Sequence, residues 1–175
     1  MDATWDAVGN VFRQEFSDVA DMEQALRITM RLLIAALLGG LLGLERERSG
    51  KEAGIRTHML VSMGSALFVL VSQQSGVIQT DISRVVQGII AGVGFLGAGT
   101  ILKDNGSAHV RGLTTAAGIW LTAAIGMAAG LGREMTAVLS TVLAVGVLSL
   151  EPLLRGVSNR VKKPPSPPAR AATED

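Results

Sequence analysis

Four long stretches without a charged residue constrain this chain more than any other feature of its sequence. They are residues 59–80, 85–102, 112–132 and 135–150. A helix needs roughly 20 mostly apolar residues to cross the hydrocarbon core of a bilayer. A soluble helix of similar length would need a polar face, which these stretches lack. The sequence therefore predicts an all-α, polytopic helical membrane protein.

A fifth apolar block, residues 32–44, is extended toward the N-terminus by a segment that carries Arg27 and Arg31. Arginine side chains near a helix end can reach the membrane interface along their apolar stems. The charged fraction of the whole chain is 18%, below the globular average of about 25%. We expect about five transmembrane helices, at residues 26–44, 57–76, 85–102, 112–131 and 135–151.

The segments outside the apolar blocks suggest three regions. Residues 1–24 hold six acids and one arginine, which is unlike the basic start of a signal peptide. We interpret them as a polar N-terminal arm that can form an amphipathic surface helix. Residues 25–155 form the transmembrane domain. Residues 156–175 are basic and rich in proline, a composition typical of a disordered tail.

Basic residues between the blocks lie mainly on one side of the predicted membrane. Segments 45–56 and 103–111 and the C-terminal tail together carry eleven lysines and arginines. The positive-inside rule places them in the cytoplasm, with the N-terminus in the periplasm of a bacterial inner membrane and the C-terminus in the cytoplasm. The net charge of only +1 gives no reason to expect a nucleic-acid partner.

The stretch GVGFLGAGTIL contains the spacing G-x-G-x-x-G at Gly92, Gly94 and Gly97. A dinucleotide-binding turn needs a preceding strand, a following helix and an acid about 20 residues later. These glycines instead lie inside an uncharged block, and residue 117 is alanine. We reject the nucleotide-binding interpretation.

Pairs of glycines four residues apart favour close packing of membrane helices. Small residues also occupy two faces of the third span, which predicts that this span lies in the middle of the bundle. A second interpretation stays open, in which backbone near Gly97, Gly99 and Thr100 leaves the helix and lines a cavity. The glycines that we assign to helix packing are Gly39, Gly43, Gly88, Gly92, Gly94, Gly97, Gly99, Gly126 and Gly130.

Polar residues gather in the two loops on the basic side. Glu45 follows thirteen uncharged residues, so a cation is expected beside it, and Arg46, Arg56 and Arg111 are the candidates. We predict that Glu45, Arg56 and Arg111 meet, whereas Arg46 and the other charges of its loop are expected to be solvated. The predicted polar cluster consists of Glu45, Arg46, Arg56, Thr57, His58, Asn105, Arg111, Thr114 and Thr115.

Candidates for chemistry are few. Glu45 and Asp104 offer the hard oxygen ligands that Mg²⁺ prefers, as weak candidates for a metal site. Neither histidine has metal-ligand spacing, and the chain contains no cysteine. We find no nucleophile–base set and no ATP-binding motif, so neither an enzyme nor a bound cofactor is expected.

Four motifs in order resemble the MgtC/SapB family of bacterial inner-membrane proteins. They are GLLGLERE at 40–47, AGIRTHMLVSMGSALFVL at 53–70, GVGFLGAGTILKDN at 92–105 and VRGLTTAAGIWLTAAIGMAAG at 110–130. The resemblance implies a helical membrane domain associated with magnesium limitation and with bacterial survival inside host cells. We expect it to cover the membrane domain only, without the C-terminal soluble domain that many virulence-linked members carry.

The resemblance leaves two functions in competition. One is a regulator that binds another inner-membrane complex, such as the ATP synthase, or a second copy of this chain. The other is a component of a magnesium or cation transporter or channel. An intact third helix with lipid-exposed glycines would favour the regulator, whereas a broken helix facing a wet cavity would favour the transporter.

Overall fold

The computed structural model describes residues 2–17, 19, 21–74, 79–103 and 110–150. In these residues the chain forms six helices and one two-stranded ribbon, in which Leu102 pairs with Arg111. The helices and strands in chain order are α1 (Asp2–Glu15), α2 (Met22–Arg48), α3 (Ile55–Gln74), α4 (Gln79–Gly99), β1 (Leu102–Lys103), β2 (Val110–Arg111), α5 (Leu113–Gly130) and α6 (Glu134–Ser149).

The all-α prediction is confirmed, and each predicted span corresponds to one helix from α2 to α6. Helices α2 to α5 are long and apolar enough to cross a membrane. Helix α6 is apolar but has 16 residues, which is about 24 Å at 1.5 Å per residue. The predicted arm contains the helix α1, whose Trp5 and Phe12 are exposed, as is Phe16 directly after it. The predicted tail lies outside the described residues.

Local sequence explains where the helices begin and turn. The side chain of Asp21 accepts a hydrogen bond from the amide of Gln24 at 2.7 Å and so caps the N-terminus of α2. Between α5 and α6, Gly132 has a φ of 75°, which a residue with a side chain rarely adopts. The amide of Arg133 donates to the carbonyl of Ala128 there, so the chain reverses direction within a few residues.

Helix α3 packs mainly against α2 and α5, α4 lies against α5 and α3, and α6 lies against α2 and α5. The outward-facing side chains of the long helices are large and apolar, for example Leu37, Leu67 and Phe95. A protein in water rarely exposes so much apolar surface, whereas lipid solvates it. The arrangement is therefore that of a membrane protein.

The expectation that the third span lies in the middle of the bundle was wrong. The apolar part of α4 is 17% buried, the least among the four long helices, whereas that of α5 is 56% buried. The reason is that the closely packed glycines belong to α2 and α5. Four glycines of α4 instead have open space where a Cβ would lie: Gly88, Gly92, Gly94 and Gly99.

Candidate functional site

Helices α2 to α6 alternate in direction, so five helix ends meet at each end of the bundle. We call one of these the basic end; it comprises the α2–α3 loop, the C-terminus of α4, the ribbon and the N-terminus of α5. The predicted polar cluster belongs to this end. Of its members, Asn105 lies outside the described residues, as does the metal candidate Asp104.

Arg46 is the most deeply buried charged side chain at the basic end. Its side chain is 0% exposed, and its Nη1 donates a hydrogen bond to Oε2 of Glu45 at 3.3 Å. Arg46 lies in the last turn of α2, where the helix dipole favours a cation. The expectation of a solvated Arg46 was therefore wrong, because the guanidinium packs inside the bundle beside the carboxylate of Glu45.

Both oxygens of the Glu45 carboxylate accept a hydrogen bond. Its Oε2 receives the Arg46 hydrogen bond, and its Oε1 accepts one from the Ser49 hydroxyl at 2.8 Å. Glu45 also lines a groove of about 520 Å³ between the C-terminal part of α2 and α6. Within the described residues, no three His, Cys, Asp or Glu side chains come together. The described residues therefore provide no cluster of metal-ligating side chains around Glu45.

Arg56 and Arg111 do not join the Glu45–Arg46 pair. Both side chains are exposed, and neither forms an ion pair with Glu45. Arg111 lines a separate cavity with Thr114 and Thr115. The predicted cluster thus divides into a buried pair at the end of α2 and a polar cavity at the start of α5, while Thr57 is exposed near Arg56 on the first turn of α3.

His58 faces the interior rather than the rim. It is fully buried, and its Nδ1 lies 3.0 Å from the carbonyl oxygen of Gly54, to which it donates. Its Nε2 points toward α5, because a Cβ on Gly118 would lie 3.6 Å from that atom. The Nε2 atom and the hydroxyl of Ser62, one turn later, have no hydrogen-bond partner among the described residues. They form a small polar spot inside the bundle.

The α2–α3 loop has more internal structure than the sequence suggests. Oε2 of Glu47 accepts a hydrogen bond from the amide of Ile55 at 3.0 Å, so it satisfies the N-terminus of α3. A Cβ on Gly54 would lie 2.5 Å from this same oxygen. Two acids near the end of α2, Glu45 and Glu47, therefore hold the loop. Glu47 lies eight residues before Ile55, too far for a capping pattern in the sequence to reveal this role.

The glycines assigned to packing fall into two groups. A Cβ on Gly39 would lie 2.5 Å from the carbonyl oxygen of His58, and one on Gly43 would lie 2.6 Å from the Cα of Ile55. Gly126 and Gly130 of α5 approach the backbone of Ser62 and Ala66 in the same way. Gly97 makes only an ordinary contact with Ala116, and Gly88, Gly92, Gly94 and Gly99 have open space beside them.

An apolar groove of about 590 Å³ runs between α3 and α4. We call it the α3–α4 groove. Three glycines line it: Gly64 of α3, and Gly88 and Gly92 of α4. A Cβ added to any of the three would meet no other atom within 4 Å. Helix α4 continues without a break to Gly99, so the backbone near Gly97 stays helical. Of the two interpretations for this segment, the structure shows an unbroken helix as far as Gly99, whereas Thr100 lies just beyond the helix and lines a cavity. Most of the loop that follows lies outside the described residues.

A second polar centre, at the opposite end of the bundle, was not predicted from the sequence. Nη1 of Arg31 donates to the carbonyl oxygen of Gly130 at 3.1 Å and to Oε1 of Gln73 at 3.3 Å. Its Nε lies 3.7 Å from Oε1 of Glu134. Arg31 thus joins α2 to α3, α5 and α6, whereas Arg27 pairs with Glu23 of its own helix.

The family model described as "MgtC family" matches residues 32–156. Protein SrpB of Synechococcus elongatus is 47% identical over 135 residues, which are 71% of this chain and 74% of SrpB. YhiD of Escherichia coli K12, whose name describes a candidate magnesium transporter, is 44% identical over 69% of this chain and 59% of YhiD. Protein MgtC of Salmonella typhimurium is 39% identical over 78% of this chain and 56% of MgtC.

The match therefore spans little more than half of the length of YhiD and of MgtC. No solved structure matches the chain. The segment matched by the family model contains α3, α4 and α5, the part of α2 from residue 32 onward, and the basic end.

Proposed function

The chain belongs to the MgtC family, and from this membership we propose that it is a non-enzymatic regulator linked to magnesium homeostasis. It acts by binding another complex of a bacterial inner membrane, such as the ATP synthase. The positive-inside rule places its basic end in the cytoplasm and its N-terminus in the periplasm. The observation that supports partner binding is the α3–α4 groove, which is open toward the lipid.

The groove has the features of a surface for a transmembrane helix. Gly88 and Gly92 lie one turn apart on α4, and both leave the backbone uncovered. A helix of another protein can approach such a backbone closely, and close approach is a main source of helix association in lipid. The occupant that we propose is a transmembrane helix of the partner complex.

The groove also contains one polar group. Ser65 of α3 lines it and is 4% exposed, and its hydroxyl makes no hydrogen bond with the described residues. Hydroxyl groups form hydrogen bonds across packed membrane helices and so help to select a partner. A polar or backbone acceptor on the partner helix would satisfy Ser65, which lipid chains cannot do.

Transport is the competing function, and the geometry of Glu45 argues against it. A Mg²⁺ ion needs oxygen ligands that are free to coordinate it. The charge of the Glu45 carboxylate is already balanced by Arg46, and its other oxygen accepts a hydrogen bond from Ser49, so a Mg²⁺ ion would have to compete with a buried guanidinium. The intact α4 also supplies no ring of free carbonyl groups near Gly97, of the kind that conducts cations in channels.

The test measures ATP-driven proton pumping in inverted membrane vesicles that contain the ATP synthase and this chain. A Gly92→Leu substitution fills the groove, while Gly94→Leu adds the same side chain to α4 at another open position outside it. We expect the unsubstituted chain and Gly94→Leu to reduce pumping and Gly92→Leu to leave it unaffected. Equal inhibition by all three proteins would contradict the proposed groove.

Cross-linking identifies the occupant directly. The chain has no cysteine, so a single cysteine at Gly88 reports on the groove without further changes. We expect a cross-link from Gly88→Cys to a membrane subunit of the ATP synthase and none from Gly146→Cys, an open glycine on α6. A cross-link only to a second copy of this chain would contradict binding to the ATP synthase and would indicate a homo-oligomer instead.

A further inference from the structure

A polar cavity of about 630 Å³ lies at the basic end, where the α2–α3 loop meets the start of α5. Lys51 and Glu52 line it on the loop side, and Arg111, Thr114 and Thr115 line it on the α5 side. We call it the α5 cavity. It shares no lining residue with the α3–α4 groove, so the following argument does not depend on the proposed regulation.

Helix α5 begins in this cavity without a side-chain cap. The residue before it is Gly112, with a φ of 89°, and it can offer no capping oxygen. The first intrahelical hydrogen bond joins the amide of Ala116 to the carbonyl of Gly112 at 2.8 Å. The three preceding amides therefore have no acceptor within the helix. An 18-residue helix concentrates positive potential at such an end.

Gly112 is needed for this geometry. A Cβ at this position would overlap the carbonyl oxygen of Thr100 and lie 3.3 Å from the Cα of Ile101. The chain can thus turn sharply from β2 into α5 against the end of α4. The residues that carry the free amides, Leu113, Thr114 and Thr115, all line the cavity.

Thr115 supplies an independent sign of a ligand. It is 5% exposed and lines the cavity, yet its hydroxyl makes no hydrogen bond with the described residues. Two other buried threonines behave differently, since Thr122 and Thr141 donate to the carbonyls four residues earlier at 2.8 Å. The hydroxyl of this otherwise buried side chain faces the cavity, where it can donate a hydrogen bond to a bound group.

The charges around the cavity favour an anion. Arg111 and Lys51 contribute two cations, Glu52 contributes one carboxylate, and the α5 N-terminus adds about half a positive charge. Helix N-termini with free amides bind phosphate groups in many proteins, and arginine binds phosphate through two parallel hydrogen bonds. The cavity volume exceeds that of a single phosphate ion, so a phosphate group carried by a larger molecule also fits.

We propose that the α5 cavity binds a phosphate group, held by the α5 amides and the hydroxyls of Thr114 and Thr115, with Arg111 at the mouth. Two sources share this chemistry. The cavity lies at the end of the candidate membrane spans, where lipid headgroups carry phosphate. It is also open to soluble phosphate compounds.

The experiment measures the thermal stability of the purified full chain in detergent. One arm titrates inorganic phosphate against equal ionic strength of chloride, and the other adds phosphatidylglycerol against a glycolipid without phosphate. The variants are Thr115→Val, which keeps the side-chain shape, and Arg111→Gln, which changes an exposed residue. Thr57→Val and Arg56→Gln are the matched controls, since both are exposed near the start of α3 and line none of the cavities described.

We expect inorganic phosphate or phosphatidylglycerol to raise the melting temperature. Thr115→Val and Arg111→Gln should each weaken the binding of that ligand by about tenfold or more. The two controls should respond as the unsubstituted chain does. Stabilisation by inorganic phosphate indicates a soluble ligand, and stabilisation by phosphatidylglycerol alone indicates a lipid headgroup. The proposal is overturned if neither ligand stabilises the chain, or if Arg111→Gln responds like its Arg56→Gln control.

Discussion

A Cβ on Gly126 of α5 would overlap the carbonyl oxygen of Ser62 on α3. The two helices therefore touch through their backbones, and α5 is held in the middle of the bundle by glycine rather than by large apolar side chains. Ser62 is itself fully buried, so the contact leaves no space into which either helix can shift without disturbing its neighbours.

From this contact we expect Gly126→Ala to destabilise the fold. Overpacking a tight interior costs about 1–3 kcal/mol, which should lower the melting temperature of the purified protein in detergent. Gly146→Ala is the matched control, because a Cβ at Gly146 has open space and alanine favours a helix. Equal melting temperatures for the two variants would show that α3 and α5 do not pack as described.

Removal of Arg46 is expected to damage the basic end severely. Its guanidinium is fully buried, and its loss would leave the carboxylate of Glu45, 14% exposed, without its ionic partner. Breaking a buried pair in this way costs about 3–5 kcal/mol. We therefore expect Arg46→Ala to give little folded protein, as measured by size-exclusion chromatography after extraction.

Arg48→Ala serves as the control for this prediction, since Arg48 is exposed two residues later on the same helix. We expect it to stay within about 0.5 kcal/mol of the unsubstituted chain. A folded, stable Arg46→Ala protein would mean that the pair contributes little, and that the guanidinium can be replaced by lipid or water.

The sequence was sufficient to predict the helices, because uncharged runs of bilayer length have few alternative structures. It also indicated that Glu45 has a cationic partner. It did not indicate which one: Arg46 is adjacent in sequence and resembles any loop arginine, and its burial depends on how α2 packs against its neighbours. The position of α4 was missed for a similar reason. Glycine patterns show where a backbone can be approached, but not whether this chain or another molecule approaches it.

Arg31 was missed because its contacts are distant in sequence, with Gly130 lying 99 residues away. We predict that Arg31→Leu destabilises the end opposite the basic end. It removes hydrogen bonds to Gln73 and to the C-terminal carbonyl of α5, and a hydrogen bond to a charged group contributes about 1.5–3 kcal/mol. Differential scanning fluorimetry should show a clear fall in melting temperature.

Arg27→Leu is the control for Arg31→Leu. Arg27 lies one turn earlier on α2, is largely exposed and pairs only with Glu23 of its own helix, an interaction of about 0.3–0.5 kcal/mol. The two variants lose the same charge from the same helix. A similar fall for both would therefore assign the effect to charge rather than to the contacts that Arg31 makes with α3, α5 and α6.

Magnesium flux separates the two functions that the family resemblance leaves open. We predict that liposomes containing the folded protein take up Mg²⁺ no faster than empty liposomes, measured with an enclosed magnesium-sensitive dye. The physical reason is that Arg46 already balances the charge of Glu45 and that α4 remains helical to Gly99. Uptake that requires the protein and disappears in Arg56→Ala would instead establish a transport path through the basic end. In that case we would assign lipid, rather than a transmembrane helix of a partner complex, as the occupant of the α3–α4 groove.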